Sequence, residues 1–206
     1  MDYDDAIRWL RTLSDFERTG DFSDRPDLAP MRALLYELGD PHFGRATIHI
    51  AGSKGKGSTG AIAEAVLHAS GMSTGFYISP YLHRYNERIR VDGQAIEREG
   101  FAAAMTDVHA GMERVSPNLR GREFLAFDAL TAAAFVAFRE ADIDAQIVEV
   151  GLGGLLDSTN VFGDSTSSSA PPEQRDSPSP HVVVITPISL EHTAILGDTI
   201  PAIAAH

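Results

Sequence analysis

The chain has 206 residues, of which 43% are hydrophobic, and a formal net charge of −12, so we expect one substantial packed α/β domain without a nucleic-acid-binding surface. It contains no cysteine, which excludes disulfides, thiolate metal sites and cysteine nucleophiles. No apolar run approaches the roughly 18 residues of a membrane span and the first residues lack a signal-peptide pattern, so we expect a cytoplasmic protein.

The first 45 residues are predicted to form helical support for the first strand. Apolar side chains recur at helical spacing from Asp2 to Leu13, which predicts an amphipathic helix. Turn formers from Gly20 to Pro30 predict a loop. A second helix is predicted from about Leu28 or Pro30 to Leu38, where Gly39 can cap its end.

A glycine-rich stretch, AGSKGKGST, runs from Ala51 to Thr59 between an apolar run at residues 47–50 and a predicted helix from Ser58 to Ser70. Glycines take backbone angles that let successive N–H groups turn inward around an anion. The helix that follows adds its unpaired N-terminal amides and its positive dipole end. The stretch therefore predicts a phosphate-binding loop, with glycines Gly52, Gly55 and Gly57.

Lys56 is placed to reach the terminal phosphates, and the hydroxyl of Ser58 or Thr59 to reach a bound magnesium ion. The strict Walker pattern is not met, because Ile50 stands where its first glycine belongs and Gly57 separates Lys56 from Ser58. A flexible Gly/Ser turn is the alternative. The strand-loop-helix context favours the phosphate-binding loop.

The chain then alternates between helix and strand. Ile62, Val66 and Leu67 fall on one side of the predicted helix. Thr74 to Ile78 is predicted to be a strand, and Ser79 follows it directly.

His83 to Gly93 is predicted to be a mobile loop with an extended piece from Arg88 to Val91 before the Asp92-Gly93 turn. Helices are predicted from Glu97 to Val115 and from Glu123 to Ala141, the second largely buried because it is strongly apolar.

Ala145 to Val150 is predicted to be a central strand, with Glu149 near its carboxyl end. A carboxylate at that place costs free energy unless it is paired or liganded. Because ligands bind at the carboxyl ends of strands in open α/β sheets, a functional role for Glu149 is favoured over a structural one.

Gly163 to Pro180 holds six serines and four prolines in 18 residues, which predicts a disordered surface insertion. Val182 to Thr186 is predicted to be a buried strand, followed by a loop that contains His192. Thr199 to His206 is predicted to begin a helix.

Four loops, each after a predicted parallel strand, carry polar residues suited to one magnesium-nucleotide site. Magnesium prefers oxygen ligands, so serine, carboxylate and phosphate suit it, whereas a histidine is less typical. Ser79 as a turn cap and His192 as an ordinary loop histidine are the alternatives. The residues in order are Lys56 with Ser58, Ser79, Glu149 and His192.

Five motifs resemble those of the folylpolyglutamate synthase and dihydrofolate synthase family of the Mur ligase superfamily, which typically reads AGTNGKGS, SPHL, ERI, EVGLGGRLDATN and DHT. The resemblance covers the chain from about Leu34 to its end. The motifs lie in the family's order at Ala51 to Thr59, Ser79 to Leu82, Asn86 to Ile89, Glu149 to Asn160 and Leu190 to Leu196.

The resemblance implies a mostly parallel sheet flanked by helices, with a P-loop, in an ATP-dependent amide ligase. ATP would phosphorylate a folate or dihydropteroate carboxylate, the amino group of L-glutamate would attack the acyl phosphate, and phosphate would leave. No nucleic-acid or membrane partner is implied. Oligomeric state stays open, with a monomer favoured.

The resemblance also assigns residues to each role. For nucleotide binding they are Gly52, Gly55, Lys56, Gly57, Ser58 and Thr59. For magnesium they are Ser58, Ser79, Glu149 and His192, with Lys56, Glu149 and His192 as catalytic residues. For the pterin-bearing substrate they are Tyr81, Arg88, Phe127, Asp128 and Asp157, with plain helix packing as the alternative for Phe127.

The chain departs from the family pattern at several positions. Lys54 replaces an asparagine, Tyr81 a histidine, Leu155 an arginine and Glu191 an aspartate. None removes a principal magnesium ligand, and Lys54 adds positive charge where phosphate should lie.

Family members continue beyond this length with a lysine-containing motif and a C-terminal α/β domain. We therefore expect an N-terminal ATPase domain or a truncated product, with negligible turnover unless the missing part is supplied. A peptide ligase of the same superfamily with another carboxylate substrate and a non-catalytic nucleotide-binding module are the alternative functions.

Overall fold

The computed structural model describes residues 1–15, 27–162 and 181–206. Within these ranges one six-stranded sheet has the order β4-β3-β2-β5-β1-β6. Strands β2, β5, β1 and β6 are parallel, and β3 and β4 add an antiparallel edge. The mostly parallel sheet and the central position of β5 are confirmed. The strands are β1 (Ala46–Ala51), β2 (Thr74–Tyr77), β3 (Ile89–Val91), β4 (Gln94–Ala95), β5 (Ala145–Glu149) and β6 (His181–Ile185).

The helices of the described residues lie close to their predicted ranges, except that the loop predicted after β6 contains a short helix at Thr193–Leu196. They are α1 (Tyr3–Leu10), α2 (Leu28–Glu37), α3 (Lys56–Ala69), α4 (Arg98–Val115), α5 (Ala126–Glu140), α6 (Thr193–Leu196) and α7 (Ile200–Ala204). Among the described residues, no helix has both the length and the apolar character needed to cross a membrane.

Local sequence sets several helix ends. The Asp2 carboxylate caps α1 by accepting from the N–H of Asp5, and Asp27 caps α2 by accepting from Ala29. Gly39, with φ of 78°, follows α2 in the left-handed conformation that glycine tolerates best. Thr199 caps α7 through the N–H of Ala202.

The sheet is covered on both faces. On one face, α3 lies over Ile50, Phe76 and Ile147 of the central strands. On the other face, α5 packs against β2 and β3, while α1 and α2 pack on α4, which packs on α5. Phe135 and Phe138 of α5 are fully buried in that larger core, as the apolar sequence of this helix predicts. The N-terminal helices are therefore part of the main core.

The prediction for the face of α3 is only partly correct. Ile62 and Val66 are 67% and 62% exposed, and Leu67 alone of the three packs in the core. The buried side of α3 carries Gly60 and Glu64 instead. A Cβ at Gly60 would lie 2.3 Å from Cζ of Phe76, so the missing side chain lets the helix approach the sheet closely.

The strand predicted at residues 182–186 is confirmed as β6, but the prediction that it is buried is wrong. In the described part of the chain, β6 pairs with β1 alone and forms an edge. Val182, Val183 and Ile185 are therefore 55%, 58% and 67% exposed. A run of β-branched residues does not distinguish a central strand from an edge strand.

The predicted mobile loop at residues 83–93 has defined structure instead. A 3₁₀ turn at Tyr85–Arg88 leads into β3. The predicted turn at Asp92-Gly93 is confirmed, with φ of 49° and 78°, and joins β3 to β4. The predicted insertion at residues 163–180 and most of the loop predicted before α2 lie outside the described residues.

Candidate functional site

The glycine-rich loop occupies the carboxyl end of β1 and leads directly into α3, as predicted. Gly52 and Gly55 have φ values of 123° and 92°, which residues with a Cβ rarely adopt. A Cβ at Gly52 would also lie 2.2 Å from Oγ1 of Thr186, directly after β6. Glycine at position 52 is therefore required by both backbone angle and space.

Hydrogen bonds tie this loop to the segment after β6. The N–H groups of Ser53 and Lys54 donate to the carbonyl of Pro187 at 3.1 and 3.4 Å. The Ser53 hydroxyl donates to the carbonyl of Ser189 at 3.2 Å and accepts from its N–H at 3.0 Å. Ser53 and Ser189 were not among the residues predicted for the site. The sequence signal for them was a serine in the loop after each of two strands, β1 and β6, which are neighbours in the sheet.

Lys56 folds back over the loop. Its Nζ donates to the carbonyl of Gly52 at 2.8 Å, and its charge favours the ionised form of Glu149. The ammonium group therefore lies inside the loop and near the end of β5. Lys54, by contrast, is exposed.

Glu149 lies at the carboxyl end of the central strand and is 5% exposed. Burial raises its pKa, while the charge of Lys56, a hydrogen bond from the N–H of Ser79 and the charge of Arg88 oppose that rise. The structure thus brings three of the predicted site residues together from separate strands: Lys56, Ser79 and Glu149. A buried carboxylate with these partners is a good ligand for a hard cation.

The first turn of α3 faces this carboxylate, since a Cβ at Gly57 would lie 3.6 Å from Oε2 of Glu149. Ser58 is exposed in the same turn, and Thr59 is half-buried. The described residues contain no cluster of three or more His, Cys, Asp or Glu side chains able to hold a metal ion. The available donors are one carboxylate and hydroxyl groups. This set fits magnesium completed by phosphate oxygens and water.

His192 is exposed and precedes α6. Its backbone has φ of 48° and ψ of 35°, a left-handed conformation uncommon for a residue with a side chain. Within the described residues its imidazole forms no hydrogen bond or ion pair with Lys56, Ser79 or Glu149. The structure does not join His192 to the other predicted ligands, and its metal-binding role stays a prediction.

The predicted substrate residues on the loop after β2 form an aromatic and cationic patch. The rings of Tyr81 and Tyr85 are 4.4 Å apart, and the Arg88 guanidinium lies 5.1 Å from the centre of the Tyr81 ring. A hydrogen bond with Tyr85 is the main cause that raises the pKa of Tyr81 to about 12. Arg88 is buried beneath this pair and its charge also reaches Glu149.

Phe127 is half-buried at the start of α5. Its ring centre lies 6.0 Å from that of Tyr77, and a Cβ at Gly151 would lie 2.6 Å from its Cζ. The ring therefore packs on the glycine-rich turn that follows Glu149. Its predicted role of stacking on the substrate stays a prediction.

Asp128 and Asp157 are buried and already hydrogen-bonded. Asp128 accepts from the N–H of Leu125 at 2.8 Å and from the hydroxyl of Ser158 at 2.6 Å. Asp157 accepts from the N–H groups of Leu152 and Thr159 at 2.9 and 3.0 Å. Both carboxylates hold the turn at residues 150–160, so a direct contact with substrate would require one of these bonds to be exchanged.

Comparisons with known proteins were made at the level of sequence and of structure. No protein-family model matches the chain. The chain is 33% identical to folylpolyglutamate synthase of Lacticaseibacillus casei over 206 residues, which is 100% of this chain and 43% of that protein. It is 36% identical to a probable bifunctional folylpolyglutamate synthase/dihydropteroate synthase of Halobacterium salinarum, covering 99% of this chain and 22% of that protein.

The fold of the chain also matches solved structures over its full length. A complex described as FPGS-AMPPCP-folate superposes with a TM-score of 0.81 and 33% identity, covering 100% of this chain and 45% of that one. The chain thus spans less than half the length of the proteins it matches.

Proposed function

We propose that this chain, which corresponds in sequence and fold to the N-terminal part of the folylpolyglutamate synthase and dihydrofolate synthase family, forms the magnesium-ATP site of an amide ligase. The complete protein would join L-glutamate to a folate or dihydropteroate carboxylate. The observation that carries the proposal is the convergence of Lys56, Ser79 and Glu149 at the carboxyl edge of the parallel sheet. This is the place where open α/β sheets bind ligands.

The proposed reaction has two steps. An oxygen of the substrate carboxylate takes the γ-phosphoryl group, which forms a C–O–P linkage and releases ADP. The neutral amino group of glutamate then attacks the acyl carbon, the C–N bond forms, and phosphate leaves with the C–O bond broken. The nitrogen loses a proton to complete the amide.

The protein's part in these steps is positioning and charge neutralisation. Lys56, already held inside the loop by Gly52, would neutralise negative charge on the phosphates. Ser58, Ser79, Glu149 and His192 are the residues proposed to hold magnesium. The ion, when bound, supplies further positive charge to the phosphate oxygens.

The substrate is proposed to lie against the aromatic faces of Tyr81 and Phe127, with the buried Arg88 guanidinium adding positive charge behind the Tyr81 ring. Asp128 and Asp157 border the same turn. They would act on the substrate either directly, after exchange of a hydrogen bond, or by holding the turn in shape.

The test is ATP-dependent phosphate release by the product of the complete gene, with dihydropteroate or tetrahydrofolate plus L-glutamate. We expect release that requires all three substrates, and negligible release from the 206-residue chain alone. Release without a folate-class substrate but with another carboxylate would favour a different ligase of the superfamily. ATP binding without any release would favour a non-catalytic nucleotide-binding module, and either result overturns the folate assignment.

A cytoplasmic location and a monomeric state complete the proposal. Cell fractionation with an antibody against the chain tests the first, and light scattering of the purified protein tests the second.

A further inference from the structure

A hydrogen-bonded chain of side chains runs from β1 to the turn after β5, outside the proposed nucleotide site. Nε2 of His49 lies 2.8 Å from Oγ1 of Thr159. The Thr159 hydroxyl in turn donates to Oδ1 of Asp157 at 2.5 Å. All three side chains are buried, with exposures of 6%, 0% and 7%. The bond between His49 and Thr159 was not predicted from the sequence, because the two residues are 110 positions apart.

The number of available protons determines which atom donates in each of these two side-chain hydrogen bonds. Burial raises the pKa of Asp157, while hydrogen bonds from the Thr159 hydroxyl and from the N–H groups of Leu152, Thr159 and Gly151 oppose that rise. We take Asp157 as the carboxylate, because both of its oxygens already accept hydrogen bonds from N–H groups. The Thr159 hydroxyl has a single proton and gives it to that carboxylate. The hydroxyl can therefore only accept from His49, which must carry its proton on Nε2.

The surroundings keep the imidazole neutral, so that it has only one N–H to place. Burial, and then the charge of His181, lower the pKa of His49 to about 4. The ring also lies 5.7 Å from Phe162 and 6.1 Å from His181, between ring centres. These ring contacts would be satisfied by either tautomer and by other flat or apolar side chains. The bond to Thr159 would not.

We propose that His49 is a positioning residue. In the Nε2–H tautomer, His49 donates to the Thr159 hydroxyl, so that this hydroxyl can donate only to Asp157. These bonds hold in place the turn that begins directly after Glu149. Asp157 transmits this order to the backbone, because its other oxygen holds the N–H of Leu152. An effect of His49 on catalysis rests on the proposed function. The tautomer of His49 and the ordering of the turn by its hydrogen bond do not.

The first test uses the 206-residue chain and needs no activity. Nitrogen-15 NMR of labelled histidine should show His49 as a single Nε2–H tautomer from about pH 6 to about pH 8, with slow exchange of that proton. An Nδ1–H tautomer, or rapid averaging between the two, would overturn the proposal. This measurement is made on the unaltered protein and does not depend on any variant folding.

The second test separates hydrogen bonding from packing. His49→Leu keeps apolar volume but donates nothing, whereas His49→Gln supplies an amide N–H. Loss of one hydrogen bond should make the Leu152 amide exchange with solvent about five- to tenfold faster in His49→Leu. His49→Gln should stay within about twofold of the native rate. Equal rates in the two variants would show that packing alone matters.

Thr159→Val provides the matched variant at the other end of the bond, since valine keeps the shape and removes the hydroxyl. If the two residues act through one bond, Thr159→Val should change the Leu152 exchange rate much less in the His49→Leu background than alone. Fully additive effects on the exchange rate would show that His49 and Thr159 do not act through one hydrogen bond.

In the complete, active protein, His49→Leu should raise KM for the folate-class substrate about fivefold with KM for ATP unchanged. An inactive native protein would count against the proposed function and leave the NMR result intact.

Discussion

The positive charge of Lys56 favours the ionised form of the buried Glu149, and this interaction supports the candidate site. Neither is fully exposed, and the lysine also bridges the phosphate loop through Gly52. A loop lysine with no such partner would be an ordinary surface cation.

Replacing Lys56 by alanine should weaken MgATP binding about a hundredfold or abolish it, because a charge-assisted contact to phosphate is lost. Titration calorimetry on the purified chain measures this directly. Lys54→Ala is the matched control, since Lys54 is exposed and contributes its backbone N–H to the loop. Its effect should stay below about fivefold. Unchanged affinity in Lys56→Ala would refute the phosphate-loop assignment.

Asp128 provides a prediction about pH. Burial raises its pKa from 3.8 to about 6, against hydrogen bonds from Ser158 and Leu125. The folded protein then holds a proton that the unfolded chain releases, so the free energy of unfolding falls as pH rises from about 4 to above 6. The total fall from this group is on the order of 3 kcal/mol.

Urea unfolding of Asp128→Asn across that range should lack this contribution, so the free energy of unfolding of the native protein minus that of the variant should fall by on the order of 3 kcal/mol as pH rises. Comparing the two proteins cancels the opposite trend of His42 and His49, whose lowered pKa values make the protein lose stability in acid. Asp144→Asn is the control, because hydrogen bonds from Ser73 lower the pKa of Asp144 and reverse the sign. A constant difference between Asp128→Asn and the native protein at every pH would contradict the prediction.

At the scale of elements, the approach of α3 to the sheet decides which residues lie inside. Hydrophobic spacing placed Ile62 and Val66 together correctly, since they do share a face, but not which face of the helix meets the strands. Gly60 decides that, because only a residue without a side chain lets α3 sit on Phe76. A helix that packs closely on the sheet makes more van der Waals contacts than a more distant helix that buries one aliphatic side chain.

Gly60→Ala should therefore destabilise the chain by about 1 to 3 kcal/mol through overpacking, although alanine favours helices. Gly100→Ala in α4 is the matched control, because a Cβ there meets nothing within 4 Å. That variant should be stabilised by about 0.5 to 1 kcal/mol. Thermal and urea unfolding of both variants measure the difference. A stabilised Gly60→Ala would mean that α3 does not lie against Phe76 as described.

At the scale of the whole molecule, the excess of acidic over basic residues is the dominant feature. The net charge is −12 and all but two of the 17 basic residues are arginines. Acid excess with few lysines is typical of proteins from high-salt cytoplasms, while an arginine-rich, GC-rich genome with ordinary solubility is the alternative. The two explanations predict different responses to salt.

If the acidity is an adaptation to salt, the melting temperature should rise between about 0.1 M and about 2 M KCl, as cations screen repulsion among the carboxylates. The effect should shrink near the sequence pI of about 5.0, where the net charge is small. Differential scanning calorimetry at both pH values makes the comparison. A melting temperature that does not rise at neutral pH would favour the genomic explanation.

Much of the fold could be predicted from residue spacing. The alternation of the longer strands and helices, the Asp92-Gly93 turn and the glycine loop follow from patterns within a few residues of one another, whereas the short β4 and α6 were not predicted. The edge position of β6 could not be predicted, because Val182 and Val183 read the same way in a central strand. Strand neighbours depend on residues far apart in the chain.

The candidate site was likewise only partly predictable from the sequence. The sequence by itself determined which chemical groups are available: a glycine loop that wraps an anion, a lysine within it, and a carboxylate at a strand end. Only the tertiary structure decided which of them meet. It joins Lys56, Ser79 and Glu149, leaves His192 apart from them, and links His49 to Thr159. The physical reason is that backbone conformation follows from local sterics, whereas a hydrogen bond between residues from different strands exists only once the sheet has set their neighbours.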